Sequence, residues 1–553
     1  MLNSRRLTLI SIALLGLASF IAAGSATNAG SFAQATPTPT PTRGTRPREF
    51  ETPVPAPVVV ASPTPPVPTS SPDLNILQTL DSLRAKITQR ILAPEVRRGR
   101  VGIKIVSLNS GKVVYETDAD KYFMPASNMK NFTVATALER LGPDFRFITS
   151  VKAASMPDTD GVVHGPLVIV GRGDVSFSTS FDPAYPQVID HYKAIDALAA
   201  QIAGSGVRKV DGDLIADESY FQGFAVPETW EWDDIEGYDG TEISAFPLND
   251  NVVDITVNAG TKGGPCLVGV RPANQLVRFY NTCVTTSGGT AQVSLRKGMD
   301  QNVVTIGGTF PAGGKEFVRS IAFTHPAELF IALLKERLAL KGVTVTGGAR
   351  TSNKPDPTIG TEITKLASPP FSTIAAKTMK PSQNNYAETI LWTLGEEVGR
   401  KNGGSGPTQQ LGIGAVRAFL TGIGIPADGL VQYDGSGLSR HDLVCPNSII
   451  SLYTYMAKQS KYSQVWRDSL TIGGVDGTLR NRFKGTAAAG NMRGKTGTLD
   501  QVSALSGYVT TAGGDQLVIS IMMNGIAGTG NIRKGLEDDI VIALANFNGK
   551  IDP

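Results

Sequence analysis

Three short polar motifs lie far apart along the chain, so a fold that uses them together must bring both ends of the chain to one site. Ser127-Asn128-Met129-Lys130 is near the front, Ser382-Gln383-Asn384 is far downstream, and Lys495-Thr496-Gly497 is near the end. A serine supplies a hydroxyl nucleophile, and a lysine can supply the base that accepts its proton. The order of the motifs predicts a single site at which a serine is acylated.

The first motif lies at the start of a predicted helix that extends from Pro125 to Leu141. Residues three apart on a helix share a face, so the Lys130 amine can reach the Ser127 hydroxyl. Burial disfavours the charged form of a lysine and makes it a better base. The helix N-terminus also offers N–H groups to a developing oxyanion. Ser127 is therefore the predicted nucleophile and Lys130 its base.

Other segments repeat these spacings without a suitable setting. Ser294-Leu295-Arg296-Lys297 has the spacing of the first motif, but it lies in a strand-like run, where positions three apart point to opposite faces. Ser107-Leu108-Asn109 matches the second motif at the end of a predicted strand. Both are interpreted as structural segments.

The second and third motifs each have a plain structural alternative. Ser382-Gln383-Asn384 precedes an apparent helix from Tyr386 to Leu394, so it is predicted to form a loop at the helix entrance; the alternative is simple helix capping. Lys495-Thr496-Gly497-Thr498 is predicted to be a strand edge, where Gly497 permits close approach of a ligand; the alternative is an ordinary turn.

The N-terminal region predicts export. Residues 1–35 contain Arg5 and Arg6, an apolar run and small-residue cleavage sites, which are typical of a signal peptide. A retained membrane anchor is the competing interpretation, because the run is close to the length of about 20 residues that spans a bilayer. Residues 36–72 are rich in Pro and Thr and predict an extended linker. We expect a periplasmic or cell-envelope protein.

Bulk composition indicates several compact units and no nucleic-acid partner. The chain has 553 residues with 41% apolar content, enough for more than one core. Lys and Arg number 52 against 49 Asp and Glu, so the net charge of +3 offers no basic surface by itself.

The two ends of the chain share an α/β pattern. Amphipathic helices are predicted over 73–93 and 532–547, a hairpin over 101–116 and neighbouring strands over 502–509 and 517–523. Between them, residues 150–351 show short apolar runs broken by Gly, interrupted by one predicted helix over 326–340. Either this stretch is a β-rich insertion in a catalytic domain or the motifs do not share a fold. We favour the insertion, with residues 73–149 and 352–553 forming one discontinuous domain.

Cysteine and histidine usage leaves one question open, and the residue spacing disfavours a metal centre. Either Cys266 and Cys283 form a disulfide and leave Cys445 as a buried free thiol, or all three cysteines are unpaired. The sequence does not decide between these two possibilities. The four histidines are scattered, and none is at ligand spacing from another His or Cys. We expect no metal and no cofactor.

Beyond the three motifs, further segments carry a family resemblance: Gly171-Arg172-Gly173-Asp174, Ile243-Ser244-Ala245 with Asn249 and Asn251, Asp434-Gly435-Ser436-Gly437-Leu438-Ser439-Arg440, and Gly477-Thr478-Leu479. With these, the chain resembles the S13 peptidases, the D-alanyl-D-alanine carboxypeptidase/endopeptidase family of low-molecular-weight penicillin-binding proteins. The resemblance covers about residue 74 to the C-terminus. It implies an α/β transpeptidase-like domain, similar to serine β-lactamases, with an antiparallel sheet, helices and a large inserted region containing nested domains.

The resemblance also implies roles for the motif residues. Ser127 would attack the carbonyl of the penultimate D-alanine, Lys130 would accept its proton, and Ser382 and Lys495 would relay a proton to the departing amine. Asn384 would hold the substrate amide, while Lys495 and Thr496 would bind the terminal carboxylate. The N–H groups of Ser127 and Thr498, which flanks Gly497, would form the oxyanion hole. The implied partners are peptidoglycan peptides and β-lactams, which would acylate Ser127.

Two other functions are compatible with parts of the sequence. A serine β-lactamase uses related motifs, but no residue here identifies its water-activating group. A non-enzymatic sensor of cell-wall peptide or β-lactam is a different class, and the intact Ser127–Lys130 pair disfavours it. The sequence does not distinguish carboxypeptidase from endopeptidase action.

Overall fold

The computed structural model describes residues 77–551 and has a mixed α/β fold, as predicted. The described helices are α1 Leu80–Ile91, α2 Lys130–Leu141, α3 Lys193–Gly204, α4 Pro326–Leu340, α5 Phe371–Met379, α6 Asn384–Leu394, α7 Thr408–Gly422, α8 Pro446–Lys458, α9 Ser463–Ser469 and α10 Gly530–Ala545. Short 3₁₀ turns include Ala126–Met129, Tyr238–Gly240, Asn249–Asn251 and Gly477–Leu479.

The strands divide between the two ends of the chain and its middle. They are β1 Arg100–Ser107, β2 Val113–Thr117, β3 Ile148–Ala153, β4 Val162–His164, β5 Leu167–Val170, β6 Lys209–Asp211, β7 Leu214–Asp217, β8 Val252–Asn258, β9 Leu267–Arg271, β10 Arg278–Asn281, β11 Val284–Thr286, β12 Gln292–Lys297, β13 Val303–Pro311, β14 Phe317–Ala322, β15 Thr344–Val345, β16 Ala349–Ser352, β17 Thr361–Ala367, β18 Leu430–Val431, β19 Leu443–Val444, β20 Thr471–Ile472, β21 Arg493–Leu499, β22 Val502–Thr510 and β23 Gln516–Asn524.

A six-stranded antiparallel sheet joins the two ends of the chain. Its order is β2-β1-β23-β22-β21-β20. The register of β1 on β23 extends from Arg100 opposite Asn524 to Ser107 opposite Leu517. The predicted hairpin of β1 and β2 and the predicted neighbours β22 and β23 are confirmed. Strand β21, which carries the third motif, lies next to the short terminal strand β20.

Alternating apolar side chains let both faces of this sheet bury a core. On one face, Ile105 of β1 and Leu505 of β22 belong to a cluster with Ile87 of α1 and Ile540 of α10. On the other face, Met522 of β23 belongs to a larger cluster with residues of α2 and α5 to α9. The sheet is therefore sandwiched between two helical layers, and the second layer contains the helices that follow the first two motifs.

The middle of the chain forms several smaller sheets around its own core. Their orders are β16-β7-β5-β3-β17, β15-β6-β4, β14-β8-β9, and β10-β13-β11 with β12 also paired to β13. Helices α3 and α4 contribute to the same core. Strand β17 pairs with β3 although it follows residue 351. The division of the chain into domains at 150 and 351 stays a prediction.

Two helix predictions are wrong in detail. Only one helix was predicted in the middle of the chain, but α3 is a second one, buried through Ile195, Leu198, Ala199 and Ile202 at helical spacing. Residues 77–79 were predicted to belong to the N-terminal helix, but within the described residues this helix begins at Leu80, because the Thr79 side chain accepts a hydrogen bond from the Ser82 N–H and caps it there.

The structure answers the open cysteine question. Cys266 and Cys283 form a disulfide with a Cα–Cα distance of 5.4 Å, and Cys445 is a buried free thiol. Between residues 77 and 551 no helix is long and apolar enough to cross a bilayer. The predicted signal peptide or anchor and the predicted linker, residues 1–72, lie outside the described residues.

Candidate active site

Ser127 lies on the 3₁₀ turn Ala126–Met129, which leads directly into α2. Lys130 is the first residue of α2 and is fully buried. Its Nζ lies 2.9 Å from Ser127 Oγ, so hydroxyl and amine are in hydrogen-bond contact. The sequence placed Ser127 in the first turn of one continuous helix; the separate 3₁₀ turn instead begins at Ala126, which has a φ of +48°.

The Lys130 amine has two further partners, both oxygen acceptors. It donates to Asn384 Oδ1 at 2.6 Å and to the Ser436 carbonyl oxygen at 2.7 Å. Burial lowers the pKa of Lys130 to about 8, although the carboxylates of Asp434 and Glu388 oppose the shift. A lysine with this pKa is partly neutral near physiological pH and can accept a proton.

The second motif forms the predicted loop at the entrance of α6. Gln383 is the cap, and its side chain accepts a hydrogen bond from the Asn385 N–H at 3.0 Å. Ser382 precedes it with a φ of +66°, a left-handed conformation that is uncommon outside glycine. Asn384 donates its side-chain Nδ2 to the Asp239 carbonyl at 2.9 Å while its Oδ1 faces Lys130. The loop is thus attached to the first motif through Asn384.

The third motif lies on β21 and meets the second through Lys495. The buried Lys495 Nζ donates to Ser382 Oγ at 2.8 Å and to the Thr496 carbonyl at 2.7 Å. Burial, together with the charge of Lys130, holds the pKa of Lys495 well below its usual range. The Lys495 carbonyl accepts a hydrogen bond from Asn128 Nδ2 at 3.3 Å, which also joins β21 to the turn that carries Ser127.

Glycine is required at position 497 for a structural reason that the sequence did not suggest. A Cβ at this position would lie 2.5 Å from the Pro125 carbonyl oxygen and 3.1 Å from Ala126 Cβ. Glycine is therefore needed because the Ser127 turn packs directly against β21, and not only for the approach of a ligand. Thr498, the next residue, is half-buried on the same strand.

The structure brings the four predicted catalytic residues together. Two hydroxyl–amine pairs, Ser127–Lys130 and Ser382–Lys495, are joined through Asn384 and lie beside Thr496, Gly497 and Thr498. The excluded segment behaves as predicted: Ser294 is exposed and Lys297 is buried on opposite faces of β12.

Sequence reasoning gave no role to the buried loop that begins at Asp434 or to Glu388 of α6, both of which lie close to Lys130. Asp434 accepts hydrogen bonds from the N–H groups of Gly437 and Ser439, and from Trp230 Nε1 at 2.9 Å. Glu388 of α6 accepts from the Ser436 N–H at 2.7 Å. The Asp434–Arg440 segment was noted only for its family resemblance, and nothing in the spacing pointed to Glu388.

Thr478 is another contact that the sequence did not assign. Its Oγ1 lies 2.7 Å from Thr496 Oγ1, and its N–H donates to the Lys380 carbonyl at 3.0 Å. Lys380 is two residues before Ser382, so this segment links the loop of the second motif to the strand of the third. Among residues 77–551, no group of three or more His, Cys, Asp or Glu side chains is arranged to hold a metal ion.

Comparisons with known proteins bear on the family of the chain. Residues 83–546 match the family described as D-Ala-D-Ala carboxypeptidase 3 (S13). A D-alanyl-D-alanine carboxypeptidase from Actinomadura sp. (strain R39) is 34% identical over 488 residues, which cover 86% of each chain.

Solved structures share the fold. A crystal structure of penicillin binding protein 4 from Haemophilus influenzae has a TM-score of 0.71 and 22% identity, and covers 86% of this chain and 100% of that one. Another structure of that protein, complexed with a novel β-lactam, has a TM-score of 0.65 and 22% identity, over 84% of this chain and 98% of that one. The predicted penicillin-binding-protein fold is confirmed.

Proposed function

This chain belongs to the S13 family of D-Ala-D-Ala carboxypeptidases, and from that premise we propose that it hydrolyses peptidoglycan stem peptides through an acyl-enzyme on Ser127. It is a serine-type carboxypeptidase by family. The assignment of Ser127 depends on one observation: its hydroxyl is in contact with a buried lysine amine, at 2.9 Å.

Acylation begins with proton transfer from Ser127 to Lys130. A neutral amine has two N–H groups and one lone pair. Because Asn384 Oδ1 and the Ser436 carbonyl can each accept one N–H, the lone pair is left for the Ser127 hydroxyl. The Oγ bonds to the carbonyl carbon of the penultimate D-alanine as its proton moves to Lys130.

Departure of the terminal D-alanine requires a proton on its amine nitrogen. Ser382 and Lys495 form the second hydroxyl–amine pair, and we assign them to relay the proton that Lys130 took from Ser127 to this nitrogen as the C–N bond breaks. Water then attacks the acyl carbon, releases the shortened peptide and returns the proton to Ser127. No further reactant is needed.

The remaining motif residues would bind the substrate. We assign the terminal carboxylate to Lys495 and Thr496, and the substrate amide to Asn384. The oxyanion hole is assigned to the N–H groups of Ser127 and Thr498, supported by the direct packing of the Ser127 turn on Gly497. β-Lactams would acylate the same serine, and a related protein of this fold has been crystallised with one.

Location follows from the proposed substrate and from the N-terminal sequence. Peptidoglycan lies outside the cytoplasmic membrane, and residues 1–35 have the pattern of an export signal. We therefore propose a periplasmic or cell-envelope enzyme, either released by cleavage or kept at the membrane by that segment.

Labelling with a fluorescent penicillin tests the assignment. Wild-type protein is expected to form a stable adduct and to release D-alanine, whereas Ser127→Ala should do neither while its thermal unfolding is unchanged. Ser294→Ala is the matched control, because this exposed serine of β12 has the same spacing to a lysine. Persistent release by Ser127→Ala contradicts the proposal.

Other outcomes point to the alternatives. Rapid loss of the label from wild-type protein indicates a β-lactamase, and a wild type that is never labelled indicates a non-acylating binding protein. Mass spectrometry of digested peptidoglycan then separates removal of terminal D-alanine from cleavage of crosslinks.

A further inference from the structure

Glu388 is a fully buried carboxylate behind the site, and the mechanism above does not use it. It lies one turn after Asn384 on α6, so both side chains share a helix face. Its described hydrogen bonds come from backbone N–H groups: Gly435 at 2.9 and 3.0 Å, and Ser436 at 2.7 Å. Such a buried acid is costly unless it is hydrogen bonded, and here its partners belong to a single loop.

That loop presents an acceptor to the proposed base. The Ser436 carbonyl oxygen accepts the Lys130 hydrogen bond at 2.7 Å. The same peptide unit continues into the Gly437 N–H, which donates to Asp434 Oδ1 at 2.6 Å. A Cβ on Gly437 would lie 1.8 Å from the Ala126 carbonyl, so this peptide packs against the Ser127 turn. Its orientation is therefore held from both sides, by Glu388 before it and Asp434 after it.

We propose that Glu388 is a positioning residue for the base: it fixes the Ser436 carbonyl that orients the Lys130 amine, and its charge tunes that amine. Helix α6 then positions both acceptors of the amine. Asn384 is one of them, and Glu388 holds the loop that carries the other, the Ser436 carbonyl. The inference rests on the proposed function, in which Lys130 accepts the proton of Ser127.

Charged groups on four elements act on Lys130. Glu388 faces it from α6, Asp434 and Asp442 from the loop, Asp239 from the 3₁₀ turn Tyr238–Gly240, and Lys495 from β21. Burial and the charge of Asp434 raise the pKa of Glu388 to about 8, while the Ser436 side chain, the Gly435 N–H and the charge of Lys130 favour the ionised form, so Glu388 ionises over the same pH range as Lys130. Ionised Glu388 stabilises the Lys130 ammonium, so loss of that charge lowers the pKa of Lys130 further.

Glu388→Gln separates this role from simple packing. We would measure the second-order rate of acylation by a penicillin across pH 5–10 on the full chain. The variant is expected to lose about tenfold or more in maximal rate, because an amide cannot accept the same set of N–H bonds. The acidic limb of its profile should also move to lower pH, by on the order of half a unit or more.

Glu537→Gln is the matched control. Glu537 is equally buried, but on α10, where it accepts hydrogen bonds from Ser503 and Arg482. This control should lower thermal stability without moving the acidic limb. If Glu388→Gln behaves in the same way, Glu388 is only structural and the inference is overturned.

A shorter acid keeps the inference testable if Glu388→Gln does not fold. Glu388→Asp retains the charge but reaches the loop less well, so a reduced rate with an unmoved limb is expected. A wild-type rate in Glu388→Asp overturns the inference. Absence of acylation in the wild type would instead overturn the proposed function itself.

Discussion

Replacing Gly497 by alanine is expected to push the Ser127 turn away from β21 and to slow acylation. The added Cβ would lie 2.5 Å from the Pro125 carbonyl oxygen, 3.1 Å from Ala126 Cβ and 3.1 Å from Asn128 Nδ2. The first of these contacts involves backbone, which cannot rotate away as a flexible side chain would. The turn or the strand must therefore move.

The size of the effect follows from that distance. Ordinary contact begins at 3.4 Å, so relief of the 2.5 Å contact requires a separation of about 0.9 Å. The same turn carries Ser127, while Lys495 and Thr498 remain on β21. Misplacing reacting groups by about 1 Å costs on the order of 100-fold in rate. We expect Gly497→Ala to lower the rate of penicillin acylation by roughly that factor.

The assay is stopped-flow or time-resolved labelling with a fluorescent penicillin, alongside thermal unfolding. Gly414→Ala is the control, because a Cβ at Gly414 of α7 meets no atom within 4 Å. That substitution should leave acylation unchanged and stabilise α7 by about 1 kcal/mol. Wild-type acylation by Gly497→Ala would refute the claim that direct packing between turn and strand sets the position of the nucleophile.

Three further outcomes are expected. The acylation rate should rise with pH and level off above about 8, because burial lowers the pKa of Lys130 to about 8 and only the neutral amine accepts a proton; a pH-independent rate between 6 and 9 contradicts this. Thr478→Val should lower kcat/KM about tenfold for substrates with a free terminal carboxylate and less for the corresponding amides, because its hydroxyl orients that of Thr496. Replacing Cys266 and Cys283 together by serine should remove about 3 kcal/mol of stability from the middle of the chain, seen as an earlier thermal transition, while penicillin labelling at 25 °C is unchanged.

Local sequence patterns predicted many of the regular elements. The helix over 326–340 matches α4, and the paired strands near both ends were recognisable from β-branched runs separated by turn residues. These patterns are readable because periodicity and turn chemistry act over neighbouring residues. Helix α3 was also predictable, because Ile195, Leu198 and Ile202 lie at helical spacing, but the prediction overlooked it among the short apolar runs of the middle of the chain.

Local sequence patterns predicted only part of the candidate site. The motifs named the hydroxyls and amines, since these groups must be Ser and Lys for the chemistry. The residues that support them could not be named, because Glu388 is hydrogen bonded to the backbone of a loop that begins some 45 residues later in the chain. A contact made through backbone atoms leaves no characteristic residue pattern. The role of Gly497 was likewise set by a distant turn and not by its own strand.

Backbone strain shows why the motifs alone do not make the site. Ala126 precedes Ser127, which carries one site hydroxyl, and Ser382 carries the other. Both Ala126 and Ser382 adopt a positive φ, +48° and +66°, at a cost of about 1–2 kcal/mol each. A sequence predicts such conformations at glycine, not at alanine or serine. They persist because tertiary contacts impose them: the Ala126 turn is packed between Gly437 and Gly497, and Ser382 is hydrogen bonded by Lys495. A Ser-x-x-Lys segment without these contacts, such as that of β12, lacks the geometry that brings hydroxyl and amine together.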